Sequence, residues 1–135
     1  MNRTIVITGA TTGIGAALRQ LLQVKGDTVI NVDIRDADIM ADLTTAAGRE
    51  QALTAIEARC PDGIHGFVPC AGLGPQFPSL SRIVALNFFA VRALTESLLP
   101  LLEKANGNVV LVASNYASLP GINQVQVHEK IDLSF

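Results

Sequence analysis

Short β-branched apolar runs alternate along this chain with longer segments of helical period, the pattern of βαβ units around a parallel sheet. The runs Thr4–Thr8, Thr28–Asp33, Asp38–Ala41, Ile64–Cys70 and Asn108–Ser114 read as strands, Asp38–Ala41 being the weakest. Several are apolar at nearly every position, as strands covered by helices on both faces must be. A first helix, Gly13 to Lys25, puts Ile14, Ala17, Leu18, Leu21 and Leu22 on one face and ends at Gly26, a residue suited to a left-handed cap. A second, Thr45 to Arg59, packs Leu53 and Ile56 and stops before Pro61. A third, Leu80 to Ala105, is apolar nearly all round and needs cover on more than one side. Beyond Pro120 the period is lost, so residues 119–135 read as a tail without a regular element.

At 135 residues and 49% hydrophobic content the chain has material for one domain with a real core. A net charge of −2, with acidic and basic residues interspersed, gives no basic stripe for nucleic acid and no polybasic segment for a membrane surface. No stretch reads as long enough to span a bilayer, and the apolar run near Met1 is too short for a signal peptide. The two cysteines, Cys60 and Cys70, lack metal-ligand spacing and read as free thiols in a reducing compartment. These features point to a cytoplasmic protein without a resident metal. His65 and His128 stand singly and read as surface residues.

The candidate chemistry begins at "TIVITGATTGIG", residues 4 to 15, where a strand must become a helix. A turn of that kind frees backbone amides at a helix N-terminus and makes an anion site, provided side chains do not block the approach. Gly9 permits the tight turn, Gly13 lets a diphosphate come close, and Gly15 lets the helix sit near the strand. The alternative is that these glycines serve only a cramped turn.

The G-x-x-x-G-x-G spacing resembles the cofactor motif of the short-chain dehydrogenase/reductases. The resemblance continues in order through "CAG" at residues 70–72, "ALNFFAVRALTESLLP" and "GNVVLVAS". The stretches "VDIRDADIMADL" and "CAGLGPQ" resemble more specifically a group of that family that acts on hydroxysteroids and carbonyls. It covers residues 1–118, about the first half of a family member. It implies a Rossmann-type doubly wound parallel sheet of order 3-2-1-4-5, incomplete at its C-terminal side, with Asn108–Ser114 as an exposed edge. A dinucleotide-binding domain over 1–135 is the resulting expectation.

Carried over position by position, the resemblance implies that Gly9, Thr12, Gly13, Ile14 and Gly15 hold the diphosphate. Asp33 falls where a carboxylate takes the adenosine ribose hydroxyls and repels a 2′-phosphate, so NAD is expected and NADP disfavoured, although Arg35 nearby could tolerate a phosphate. A turn-capping aspartate is the competing explanation. Asp42 and Leu43 match adenine contacts, against a helix-start role for Asp42. Ala71 and Gly72 would lie under the nicotinamide ribose. Pro69 and Cys70 depart from the two asparagines usual there.

The family's chemistry couples hydride transfer to proton transfer through a tyrosine, with a lysine lowering its pKa and a serine orienting the substrate. Ser114 matches the serine, and Asn87 matches an asparagine that supports a water in the proton relay. Each has a bland alternative, a serine that merely ends a strand and an asparagine that kinks a helix. In so apolar a helix Asn87 is expected to be a buried polar group that needs a partner. Tyr-x-x-x-Lys is absent: Tyr116 is too close to Ser114, and Pro120 stands where its lysine would fall. At the family's commonest spacing the tyrosine would fall near Val127, and Lys130 has Gln126 four residues before it; the insertion some members carry would place the pair beyond Phe135 in a longer protein. The implied function is hydride transfer between a nicotinamide cofactor and a small-molecule ketone or secondary alcohol, a hydroxysteroid among them. The alternative is a dinucleotide-binding module without catalysis. The second apolar face of the third helix suggests a homo-oligomer.

Overall fold

The computed structural model describes residues 2–114. Tyr116, Pro120, His128, Lys130 and the expected tail lie outside the described residues. Five parallel strands, β1 (Thr4–Thr8), β2 (Thr28–Asp33), β3 (Ile39–Met40), β4 (Gly66–Pro69) and β5 (Asn108–Val109), form one sheet in the order β3-β2-β1-β4-β5. This is the order expected from the sequence. Helix α1 (Gly13–Val24) covers one face, and α2 (Ala46–Arg59) with the long α3 (Leu80–Lys104) covers the other.

The core divides along the sheet. On the α2 and α3 side, Val6, Ile30, Val32 and Phe67 meet Ile56, Leu94, Leu98 and Leu101. On the α1 side, Ile5, Ile7, Val29 and Val68 meet Leu18 and Leu22. The strands thus bury both faces, as their unbroken apolar runs require. The expected apolar face of α1 is narrower than its sequence: Ile14 and Leu21 are 71% and 53% exposed, and Ala17 is exposed too. Among the described residues α1 has no helical neighbour on its face of the sheet, so only its innermost stripe is covered. Gly26 takes the left-handed conformation expected after α1, with φ +89°.

Three strands are shorter than their sequence runs, two because a polar group is taken by something other than the ladder and one because a donor is missing. The Asp38 carboxylate accepts the Asn31 amide at 2.8 Å, so β3 starts only at Ile39. The Ile64 amide donates to the Leu101 carbonyl at the end of α3, so β4 starts only at Gly66. In β5, Asn108 and Val110 donate to the His65 and Phe67 carbonyls, which shows that alternate residues of β4 face β5. The next of these is Pro69, which has no N–H to give Val110, and the pairing expected to reach Ser114 ends there. Val110, Leu111 and Val112 are each at least 50% exposed along this edge.

The expectation that no stretch is long enough to cross a bilayer is corrected by α3, whose 25 residues are long and apolar enough by length and composition. In this fold α3 instead lies on the sheet and α2 through Leu94, Leu98, Leu101 and Leu102. Its outer side leaves Leu80, Phe88 and Leu99 exposed. The expectation for His65 is also corrected. It is half-buried, its Nδ1 accepts the Thr4 amide at 3.1 Å and its own amide donates to the Thr4 carbonyl, so it ties the start of β1 to β4. Asp27 is buried before β2 and takes three hydrogen bonds from Arg3, two through the guanidinium.

Candidate functional site

A cleft of about 610 Å3 opens at the carboxyl ends of β1, β2 and β4, where the chain connections run outward in opposite directions from β1. Ligands of open α/β sheets bind at that switch point because loops diverge there and leave a crevice. Of the sequence-predicted cofactor residues, Gly9, Thr12, Gly13, Ile14, Gly15, Asp33, Asp42, Leu43, Ala71 and Gly72 all line it. Asn87 and Ser114 do not.

The glycine-rich turn is built as its spacing requires. Gly9 has φ +73°, and a Cβ there would lie 2.6 Å from the Ala71 backbone. Gly15 packs so closely that its Cβ would meet the Gly9 carbonyl oxygen at 2.3 Å, which brings the start of α1 down onto the turn. Gly13 differs from both: its φ is +61°, yet a Cβ there would find no atom within 4 Å. Its missing side chain therefore leaves open space in front of the helix rather than permitting an internal contact.

The helix N-termini differ in the same sense. Thr45 and Ser79 cap α2 and α3 by accepting the Gly48 and Arg82 amides, whereas Thr12 makes no side-chain cap for α1. No acidic residue stands in the first turn of α1 either. Its leading amides and positive dipole end face the cleft without an internal partner, the arrangement that takes an anion. Gly13 and the bare amides of α1 fit the diphosphate of a dinucleotide.

Asp33 ends β2 with its carboxylate held at both oxygens, Oδ1 by the Ile34 amide at 2.8 Å and Oδ2 by the Thr11 amide at 3.1 Å. It does cap its turn, as the competing explanation had it, and it still lines the cleft. Asp42 is not a helix-start residue, since Thr45 caps α2. Its Oδ1 accepts the Thr44 amide at 3.0 Å and the Thr44 hydroxyl at 2.6 Å, and its Oδ2 pairs with Arg82 at 3.1 Å. The Thr44 hydroxyl chiefly, with Arg82 helping, holds the Asp42 carboxyl below the usual carboxylate range. Leu43 is buried, so its side chain forms floor rather than rim. Gly48 lets α2 approach this loop, since a Cβ there would lie within 1.9 Å of the Asp42 carbonyl oxygen.

Asn87 corrects the expectation of a buried polar group. It is exposed, in a π-helical turn of α3 spanning Ala85–Ala90. The widened turn carries its carboxamide to Leu73, where Oδ1 accepts the amide at 2.8 Å and Nδ2 donates to the carbonyl at 2.9 Å. Ser114 is exposed, beyond the paired part of β5. Cys60 and Cys70 are free, and burial pushes both thiols up, which favours their protonated form.

Several lining residues were not singled out by sequence reasoning. Thr11, Phe77 and Arg82 belong to the cleft wall. Arg82 lies 5.6 Å from the centre of the Phe77 ring and crosses to Asp42, joining the first turn of α3 to a loop forty residues away in sequence. Such a pairing has no local sequence signal.

The chain matches the family described as short chain dehydrogenase over residues 3–126, and it belongs to that family. It is 46% identical over 114 residues to the 3-alpha-hydroxysteroid dehydrogenase/carbonyl reductase of Comamonas testosteroni, covering 84% of this chain and 44% of that protein. It is 33% identical over 120 residues to the coniferyl-alcohol dehydrogenase of Pseudomonas sp. strain HR199, with the same shares of 84% and 44%. Its fold is similar to that of the 3-alpha-hydroxysteroid dehydrogenase from Pseudomonas sp. B-0831 complexed with NADH, with a TM-score of 0.83 and 44% identity over 87% of this chain and 47% of the other. The chain thus spans about half the length of these relatives.

Proposed function

We propose that this chain forms the cofactor-binding part of an oxidoreductase that moves hydride between a nicotinamide dinucleotide and a ketone or secondary alcohol. The observation that carries this reading is the uncapped N-terminus of α1 opening, past the bare Gly13, into the cleft that Asp33 lines. The bound nicotinamide would supply the hydride. Gly9, Thr12, Gly13, Ile14 and Gly15 then bind the diphosphate, and Asp33 accepts hydrogen bonds from the ribose hydroxyls. A carboxylate there repels a 2′-phosphate, which favours NAD over NADP. Asp42 and Leu43 bound the adenine end, and Ala71 and Gly72 leave room for the nicotinamide ribose. Asn87 fixes the loop beyond them through Leu73 and serves the proton relay, and Ser114 orients the substrate carbonyl. Similarity to 3-alpha-hydroxysteroid dehydrogenases supports an apolar, steroid-like substrate. The exposed Leu80, Phe88 and Leu99 on α3 support a homo-oligomer. Free, protonated thiols suit a reducing, cytoplasmic setting.

A second reading, a dinucleotide-binding module without catalysis, is favoured by one observation: no Tyr-x-x-x-Lys occurs in the 135 residues. Titration with NADH and NADPH tests the shared part of both readings, and tighter NADH binding is expected. NADH consumption with a steroid ketone and an aromatic ketone separates them, with turnover expected only from a protein that carries the tyrosine and lysine. Light scattering on the same sample tests the oligomer, and a monomer would reject it.

A further inference from the structure

We propose that Asn31 is a positioning residue that sets the cofactor preference of the cleft, by holding the Asp33 carboxylate in place through Thr11. The inference rests on the reading of Asp33 as the ribose-binding carboxylate. Asn31 lies in the middle of β2 between Ile30 and Val32, with no exposed surface. A carboxamide in such a place is costly unless both its ends are bonded, and a valine or leucine would fill the same space without that cost. Here both ends are bonded, and both to the glycine-rich turn. Oδ1 accepts the Ala10 amide at 2.9 Å, and Nδ2 donates to the Thr11 hydroxyl oxygen at 3.0 Å.

Thr11 passes this grip on to the next loop. Its hydroxyl donates to the Arg35 carbonyl at 3.0 Å, and its amide donates to Asp33 Oδ2 at 3.1 Å. The hydroxyl has a single proton, committed to Arg35, so it must accept from Asn31. The chain of donors therefore has one direction, from Asn31 to Thr11 to Arg35, and only a side chain that both accepts and donates can begin it. Asn31 is itself fixed along the strand, since its backbone amide donates to Asp38 Oδ2 at 2.8 Å. With the Ile34 amide on Asp33 Oδ1, the carboxylate is held from two sides. Excluding a 2′-phosphate requires that the negative charge stay where the phosphate would come, and a carboxylate free to rotate away would admit it. The turn that binds the diphosphate and the residue that tests the ribose are one rigid unit, with Asn31 at its base.

The test uses the full chain with three substitutions, Asn31→Leu, Thr11→Val and Thr11→Ser, and measures NADH and NADPH dissociation constants for each. Losing one bond of this network is expected to lower the NADH-to-NADPH affinity ratio about five-fold in Asn31→Leu and Thr11→Val. Thr11→Ser, which keeps the hydroxyl, is expected to retain the original ratio. Hydrogen exchange at the Ala10 amide is expected to accelerate in Asn31→Leu, and Thr11→Val carries the test should Asn31→Leu fail to fold. A folded Thr11→Val or Asn31→Leu chain that binds both cofactors with the original ratio overturns the proposal and leaves the ribose reading of Asp33 intact. An unaltered chain with no preference for NADH overturns that reading, and this proposal with it.

Discussion

Asn87 and Leu73 grip each other through two hydrogen bonds, the Asn87 carboxamide accepting from the Leu73 amide at 2.8 Å and donating to its carbonyl at 2.9 Å. A side chain here does what a neighbouring strand would do, and fastens the loop after β4 to α3. Gly72 is part of the fit, since a Cβ on it would lie 3.3 Å from Asn87 Oδ1.

Replacing Asn87 with Ala removes both bonds at an exposed site, so the expected loss is about 1–2 kcal/mol in a urea denaturation. The larger expected effect is on cofactor affinity, because the freed loop carries Gly72 and Leu73 in the cleft wall. Asn87→Asp keeps the acceptor and loses the donor, and is expected to fall between the two in both measurements.

Gly9→Ala and Gly13→Ala form a contrasting pair. The first puts a Cβ 2.6 Å from the Ala71 backbone at a left-handed φ, and is expected to cost about 2–5 kcal/mol of stability. The second meets no atom within 4 Å and carries only the conformational cost, about 1–2 kcal/mol. Gly13→Ala is nevertheless expected to weaken NADH binding at least about ten-fold, because the methyl group enters the space proposed for the diphosphate. Denaturation and titration on the same two proteins check the separation.

Asp33→Ala removes the negative charge from the part of the cleft proposed to hold the adenosine ribose. NADH affinity is expected to fall by about ten-fold as the ribose hydroxyls lose their acceptor, while NADPH affinity rises. Equal losses for the two cofactors, measured by fluorescence titration, would deny Asp33 its discriminating role.

Acid should destabilise this domain through two carboxyls. Hydrogen bonds from the Arg3 side chain hold Asp27 below its ordinary range despite its burial, and the Thr44 hydroxyl does the same for Asp42. The unfolded chain then binds these protons more readily than the folded one. Their stabilisation is complete above the unfolded value, about pH 3.9, and is lost as pH falls through the lower folded values. Urea midpoints are therefore expected to hold level down to about pH 4 and to drop below it. Asp27→Asn is expected to lower the neutral plateau and flatten that drop.

The order of the sheet and the site of the cleft were legible because both rest on local chemistry. The alternation of apolar runs marks strands and helices, and glycine suits best the positive φ at Gly9 and Gly13. What escaped was set by neighbours distant in sequence. Asn31 carries no local motif, and its role arises only because the fold brings Thr11 beside it. Pro69 was visible as a departure from the usual asparagine, but its effect on β5 depends on which way its missing N–H would have pointed. Asn87 was expected to be buried because its helix is apolar on so many sides, and the π turn that brings it to Leu73 changes helical phase locally, beyond what a fixed period describes.

The proline that ends the β4–β5 ladder divides the sheet into parts under different constraint. Gly66 and Phe67 of β4 have a partner strand on each side, and a change there is felt across three strands. Residues 111–114 lie outside the β4–β5 pairing. Exchanges in that stretch therefore leave the glycine turn and Asp33 where they are. The margin between what is fixed and what is free runs through a single missing hydrogen.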